Sequence, residues 1–363
     1  MDNKENLKIK KNIKKDNKKV SKKSYKTHSY RKKVSIIIII CFFCLILISY
    51  FSYWVYSISK INQFANIELE SSQILLNTYQ KFIGNSTNSN FITINDTKIH
   101  YIEKGSGSNC LIFLHGFGGG WFSYRFNLDF FADNGFKVYA IDFKGFGFSE
   151  RKIDSDYSYK SQAELVSNFI IEKKLKNIVL IGHSMGGQIA LITFDLLHKK
   201  GLDVVKKIIL IDSVGIDVNF NSIAKIFLNQ SFIDILYLNL IVNKQRFTEI
   251  FSSAYFNKDK ISDEWINFYL TPFKVKNTNK VYLSLIKTQK PYDISGILSK
   301  MDLPVLIIWG GNDSWINLEN AYKFNNYVKS SKLVIIPQAG HLPMEEKPEI
   351  FNDIVVNFLT DSK

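Results

Sequence analysis

The chain has 363 residues, 46% of them hydrophobic, and a formal charge of +14 at pH 7, which leaves room for one large domain or two small ones with a sizeable core. The charge is unevenly placed. Residues 1–33 hold fourteen Lys/Arg against Asp2, Glu5 and Asp16, so only +3 falls on the remainder, and no nucleic-acid partner is expected of a globular part that is nearly balanced. Cysteines exclude a disulfide framework: Cys41 and Cys44 lie in an apolar run, and Cys110 begins the apolar stretch CLIFL as a packed core residue.

In chain order, residues 1–33 read as a basic, solvated tail. From Val34 to Ser59 there is no charged side chain. About 23 such residues at ~1.5 Å rise reach roughly 35 Å, enough for a ~30 Å hydrocarbon core. Apolar residues lie all round this helix, and Tyr50, Tyr53, Trp54 and Tyr56 gather at its far end, as an aromatic belt would. A cleaved signal peptide fits less well, because its apolar stretch would be too long and no small-x-small site follows. The expectation is a transmembrane signal-anchor over 34–56, with the basic tail cytoplasmic and everything after residue 60 on the far side. Residues 57–90 read as a stalk, in which Ser71, Ile74, Leu75, Thr78, Tyr79, Phe82 and Ile83 fall on one helical stripe.

From Phe91 the pattern changes. FITINDTKIHYIEKG alternates across an Asn-Asp turn and predicts a hairpin. Buried-strand runs then alternate with helical stretches: LIFLHG (111–116), KVYAID (137–142), IVLIGH (178–183), IILIDS (208–213), VLIIWGG (305–311) and LVIIP (333–337). This predicts an α/β fold with a mostly parallel central sheet covered by helices on both faces, its working residues beyond the carboxyl ends of the strands. The core is expected over 91–215 and 291–361. Between them, residues 216–290 lack a strong strand run, are rich in aromatics, and predict a helical cap whose aromatics mostly form its own core.

The stretch GHSMG (182–186) is G-x-S-x-G between a strand-like run and a helix-like one. A sharp turn there would put Ser184 in a strained conformation above the sheet, with Gly182 and Gly186 giving neighbouring chains room. A nucleophilic serine needs a base, and there are six histidines. His28 is in the tail, His100 on the hairpin, His198 at the end of a Lys-rich helix, and His115 before the glycines of HGFGGG. His183 adjoins the serine in a backbone expected to aim the two side chains apart. His341, in QAGHLPMEEKPE just past the last strand, is the base this leaves. For the acid that fixes its tautomer, Asp313 in WGGNDSW follows the penultimate strand; Asp212 in LIDSVG is the alternative. Asp142 is expected to order its own Gly-rich loop.

The order Ser184, Asp313, His341, with LHGFGGGW, DFKGFGFS, GHSMGGQIA, WGGNDSWI and GHLPMEEKPEIFNDIVVNFL in sequence, resembles the capped α/β-hydrolases, the family of esterases, monoacylglycerol-lipase-like enzymes, epoxide hydrolases and haloalkane dehalogenases. The resemblance spans about residues 91–360. It implies that the residue after His115-Gly116, Phe117, and the residue after the nucleophile, Met185, supply the N–H groups of an oxyanion hole. Epoxide hydrolases and dehalogenases carry aspartate where Ser184 stands, so acyl transfer to water is the implied chemistry. No cofactor and no metal ligand set are implied. An aromatic cap and a bilayer tether lean towards a small, apolar or lipid-like ester as substrate. A proline-iminopeptidase-like amidase, a C–C bond hydrolase and a non-enzymatic receptor or adhesion module of the same fold are the alternatives.

Overall fold

The computed structural model describes residues 42, 44–56, 59, 89–216 and 244–361. The chain divides into two compact units, Met1–Lys60 and Ile61–Lys363. In the first, residues 44–56 are helical, and among the described residues no helix is long and apolar enough to cross a membrane. Residues 34–41 and 43 of the expected anchor lie outside the described residues, as do the basic tail, nearly all of the stalk with its apolar stripe, and residues 217–243 of the expected cap.

The second unit is built on one eight-stranded sheet in the order β1-β2-β4-β3-β5-β6-β7-β8. β1 (Ser89–Ile94) and β2 (Thr97–Lys104) form the expected antiparallel hairpin. Its turn residues, Asn95 and Asp96, take positive φ of 47° and 59°, the backbone hand that a two-residue hairpin demands. β2 then pairs antiparallel with β4 (Lys137–Ile141). β3 (Cys110–Leu114), β5 (Ile178–His183), β6 (Val205–Ile211), β7 (Val305–Gly310) and β8 (Ser331–Ile336) complete a parallel array with β4.

Every residue of β3, β5 and β7 is buried, which is why their sequences are continuous apolar runs: both faces of these strands are covered. Each Leu, Ile or Phe so buried contributes about 1.5–3 kcal/mol. Cys110 is a buried free thiol at the start of β3, as its setting in CLIFL predicts.

Helices α1 (Leu128–Asp133), α2 (Tyr159–Glu172) and α3 (Met185–Lys199) link the first strands. α2 starts on a capping serine, Ser158, whose side chain accepts from Ser161 N–H. Between β6 and β7 the described chain is helical: α4 (Lys244–Ser252), α5 (Asp263–Phe273), α6 (Thr278–Thr288) and α7 (Ile294–Lys300). α8 (Glu319–Tyr327), the single turn α9 (Pro343–Glu346) and α10 (Pro348–Thr360) follow.

The loop of Asp142, beyond β4, is tied as its sequence predicts. Its carboxylate accepts from Trp121 N–H at 2.6 Å and Phe148 N–H at 2.9 Å, joining the two glycine-rich loops. It also meets His100 Nδ1 at 2.8 Å, and His100 Nε2 meets Ser89 Oγ at 2.8 Å.

Candidate active site

Ser184 stands between β5 and α3 with φ 52° and ψ −117°, a backbone conformation that costs about 1–3 kcal/mol for a non-glycine residue. The turn holds it there. Ser184 N–H donates to Ile211 C=O at 2.9 Å, while its own carbonyl accepts from Gly187 and Val214 N–H at 3.0 and 3.1 Å. Gly182 and Gly186 meet across the turn: a Cβ on Gly182 would lie 2.4 Å from Gly186 O, and one on Gly186 2.2 Å from Leu114 O. Met185 is the first residue of α3, so its N–H belongs to the helix turn that lacks intrahelical acceptors, at the positive end of the dipole.

His341 and Asp313 come together from the loops after β8 and β7. His341 Nδ1 donates to Asp313 Oδ2 at 2.8 Å, and Asp313 has no side-chain exposure. Asp313 Oδ1 accepts from Trp315 and Ile316 N–H at 2.7 and 3.0 Å. Burial pushes this carboxyl up, but the hydrogen bond and charge attraction of His341, with those two N–H groups, hold it below the usual carboxylate range. Ser184, His341 and Phe117 line one cavity of about 340 Å³, the size of a small-ligand pocket. Its wall is apolar, and α4 and α5 supply Phe247, Phe251, Tyr269 and Phe273 to it. Among the described residues, these are the aromatics of the predicted cap that face the pocket, a choice the sequence alone leaves open.

His115 and Gly116 shape the other wall. His115 Nδ1 donates to Gly116 C=O at 2.7 Å, and its Nε2 accepts from Phe143 N–H at 3.0 Å. Burial pushes this imidazole below its ordinary value, so it is a neutral staple. A Cβ on Gly116 would lie 2.8 Å from His183 Nδ1 and 3.1 Å from Ser184 Cβ, so the loop carrying Phe117 passes directly against the serine.

Four positioning residues carry no signal legible in the sequence. His183 borders the cavity, donates through Nε2 to His341 C=O at 2.8 Å, and packs its ring 4.7 Å from that of His341. Burial holds it well below its ordinary value, so it is neutral. Glu346 accepts from Gly340 N–H at 2.6 Å and from Phe256 and Asn257 N–H at 3.0 and 3.2 Å, while His341 N–H donates to Ala254 C=O at 2.6 Å. The segment after α4 is thereby strapped to the histidine loop.

Glu345 and Arg125 pair at 2.9 Å with almost no exposure; Tyr255 hydroxyl donates to Glu345 at 2.8 Å, and Tyr269 hydroxyl donates to it as well. Replacing Glu345 with glutamine is expected to destabilise the fold by about 3–5 kcal/mol, because the Arg125 guanidinium would stay buried without its counter-charge. Chemical denaturation of the full chain checks this, and a loss under ~1 kcal/mol would show the pair to be dispensable.

Among the described residues, one group of three close carboxylate and imidazole donors occurs: Asp212, Asp313 and His341, whose nearest atoms lie within 4.8 Å of one another. Two of those donors already satisfy each other in the Asp–His hydrogen bond, which suits an acid–base pair better than an ion cage.

The model of the alpha/beta hydrolase fold family matches residues 109–348, and the chain belongs to that family. Among curated relatives, "Putative esterase/lipase 2" of Mycoplasma pneumoniae is 29% identical over 259 residues, covering 69% of this chain and 89% of that protein. The 2-hydroxy-6-oxo-6-phenylhexa-2,4-dienoate hydrolase of Burkholderia cepacia is 27% identical over 298 residues, covering 77% and 99%. In three dimensions, a bromoperoxidase from Bacillus anthracis shares the fold at a TM-score of 0.63 and 22% identity, over 75% of this chain and 100% of that one. The chain is a hydrolase of this fold, similar to esterases and lipases and also to C–C bond hydrolases.

Proposed function

We propose that the chain is a membrane-anchored serine hydrolase that cleaves carboxylic esters with an apolar acyl part, through an acyl-enzyme on Ser184. One observation carries this reading: a serine on a strained strand-to-helix turn and the histidine of a hydrogen-bonded Asp–His pair open onto the same apolar cavity. His341 Nε2 takes the proton of Ser184 as its oxygen attacks the ester carbonyl, while Nδ1–H stays on Asp313. The tetrahedral oxyanion is received by the N–H groups of Phe117 and Met185, each worth about 3 kcal/mol in the transition state. His341 then protonates the leaving alcohol and activates water to release the acid. The chain's own residues supply every proton transfer in this scheme.

The aromatic wall and the Mycoplasma pneumoniae relative, named for esterase and lipase activity, support the ester. The anchor rests on the charge-free run from Val34 to Ser59 and the Lys/Arg excess before it, which together give a cytoplasmic N-terminus and a catalytic domain on the far side. A second reading, C–C bond cleavage of a ring-fission product, is favoured by the Burkholderia cepacia relative.

One experiment separates these. Full-length chain in washed membranes is offered p-nitrophenyl esters from acetate to palmitate, and a 2-hydroxy-6-oxo-dienoate. Ester turnover that sediments with the membranes is expected, with a chain-length optimum set by the cavity. Cleavage of the dienoate with no ester turnover would move the assignment to C–C hydrolysis. Activity released by alkaline carbonate would remove the anchor.

A further inference from the structure

We propose that Asp212 is a positioning residue for the acid–base pair: as a neutral carboxylic acid it donates a hydrogen bond to Asp313 and so fixes the carboxylate on which His341 depends. This deepens the hydrolase reading and rests on it.

The geometry leaves the second carboxyl little else to do. Asp212 is fully buried just past the end of β6, at a positive φ of 41°, a strained conformation for a residue with a side chain. Its N–H donates to Ile308 C=O at 3.0 Å, which ties it to β7. One oxygen, Oδ1, accepts from Gly310 N–H at 2.9 Å. The other, Oδ2, is buried without a donor among the described residues. The Asp313 carboxyl, itself an acceptor, lies within 4.8 Å of the Asp212 carboxyl.

Two carboxyls buried this close to each other strongly disfavour a double anion, so one of them carries a proton. His341 and two N–H groups favour the anion at Asp313, so the proton belongs on Asp212. The electrostatics agree. Burial raises Asp212 well above the ordinary carboxyl range, and the neighbouring Asp313 and, more weakly, Glu346 raise it further against the lowering by Gly310 N–H. The facing groups are Asp313 from the loop after β7, His341 from the loop after β8, and Glu346 on α9; the imidazole is the one of these that can carry positive charge. The Asp313 carboxylate thus has its oxygens engaged by Trp315, Ile316, His341 and Asp212, which leaves it one orientation.

Two variants of the full chain test this. Asp212→Asn keeps an acceptor for Gly310 and a donor for Asp313, and is expected to hold ester kcat/KM within about threefold of the parent. Asp212→Leu removes the donor. It is expected to lose about ten- to a hundredfold in kcat/KM and to shift the acid limb of the profile to higher pH, since an Asp313 relieved of one hydrogen bond holds the imidazolium more strongly.

A second readout needs no turnover. A carboxyl raised in the folded state contributes stability below its unfolded value, near 3.8, and loses it as pH rises towards the folded value, because the native state binds the extra proton. Asp212→Asn should therefore gain melting temperature over the parent, and the gain should widen from about pH 4 to pH 8. A constant difference across that range would overturn the proposal, as would an Asp212→Asn variant as inactive as one lacking Asp313. If no ester is turned over, the melting comparison still decides the protonation state while the hydrolase reading falls separately.

Discussion

Replacing Ser184 with alanine is expected to lower kcat for ester hydrolysis by about a millionfold, or roughly 8 kcal/mol of transition-state stabilisation at 1.36 kcal/mol per decade. The substitution removes one oxygen from a buried side chain that borders the cavity and leaves the backbone bonds of the turn in place, so the fold should be untouched. It should be slightly more stable than the parent only if alanine tolerates φ 52° as well as serine does, and the melting temperature reports that directly. KM should barely move, since the apolar wall that holds the acyl chain is unchanged. Pre-steady-state kinetics with excess p-nitrophenyl ester make the check sharp: where deacylation is the slower step the parent shows a burst of nitrophenol equal to the enzyme concentration, and Ser184→Ala shows none. A variant retaining more than a hundredth of the parent rate would remove Ser184 as the nucleophile.

The next largest effect is expected at the acid. Asp313→Asn should cost about 10⁴ in kcat with little loss of structure. The amide keeps an oxygen for the N–H groups of Trp315 and Ile316, but its nitrogen donates where Oδ2 accepted. His341 then meets it best with Nδ1 unprotonated. The proton moves to Nε2, and the nitrogen required to take the serine proton is the one that already has it. Asp212 is close by, yet a buried neutral carboxyl cannot do the same work. The paired measurement is Asp212→Asn under the same conditions. A loss below tenfold in Asp313→Asn, with a large loss in Asp212→Asn, would exchange the two assignments.

Much of this architecture can be read from the chain because it is written locally. IVLIGH and VLIIWG are buried along their whole length in β5 and β7, and a strand covered on both faces gives a nearly continuous apolar run that is easy to recognise. The serine turn is legible for the same reason: its steric demands fall on Gly182 and Gly186, within two residues of Ser184. The residues that brace the site are of another kind. Glu345 meets Arg125 and two tyrosines brought from distant stretches of chain, and His183 reaches a carbonyl on the loop after β8. No spacing encodes those encounters, because the sheet order and not the sequence order creates them. Asp212 shows the limit most clearly. The sequence offers it and Asp313 as rivals for one role, whereas the fold sets them side by side, and the role proposed above for Asp212 is a different one. The pocket-facing aromatics of α4 and α5 are hidden by their abundance, since the same residue types build the interior of those helices.

The hairpin holds a lesson for motif searches by shape. Ser89, His100 and Asp142 are linked at 2.8 and 2.8 Å, so a distance template for serine, imidazole and carboxylate matches the hairpin. That match is a brace. Ser89 lies in an edge strand paired with Ile102, without the first amide of a helix beside it, and Asp142 spends its oxygens clamping two loops. Under the mechanism proposed for Ser184, what separates nucleophile from strut is not the relay beneath the hydroxyl. It is the open cavity above it and the N–H donors beside it, and a template that omits those two terms will score scaffolding as chemistry.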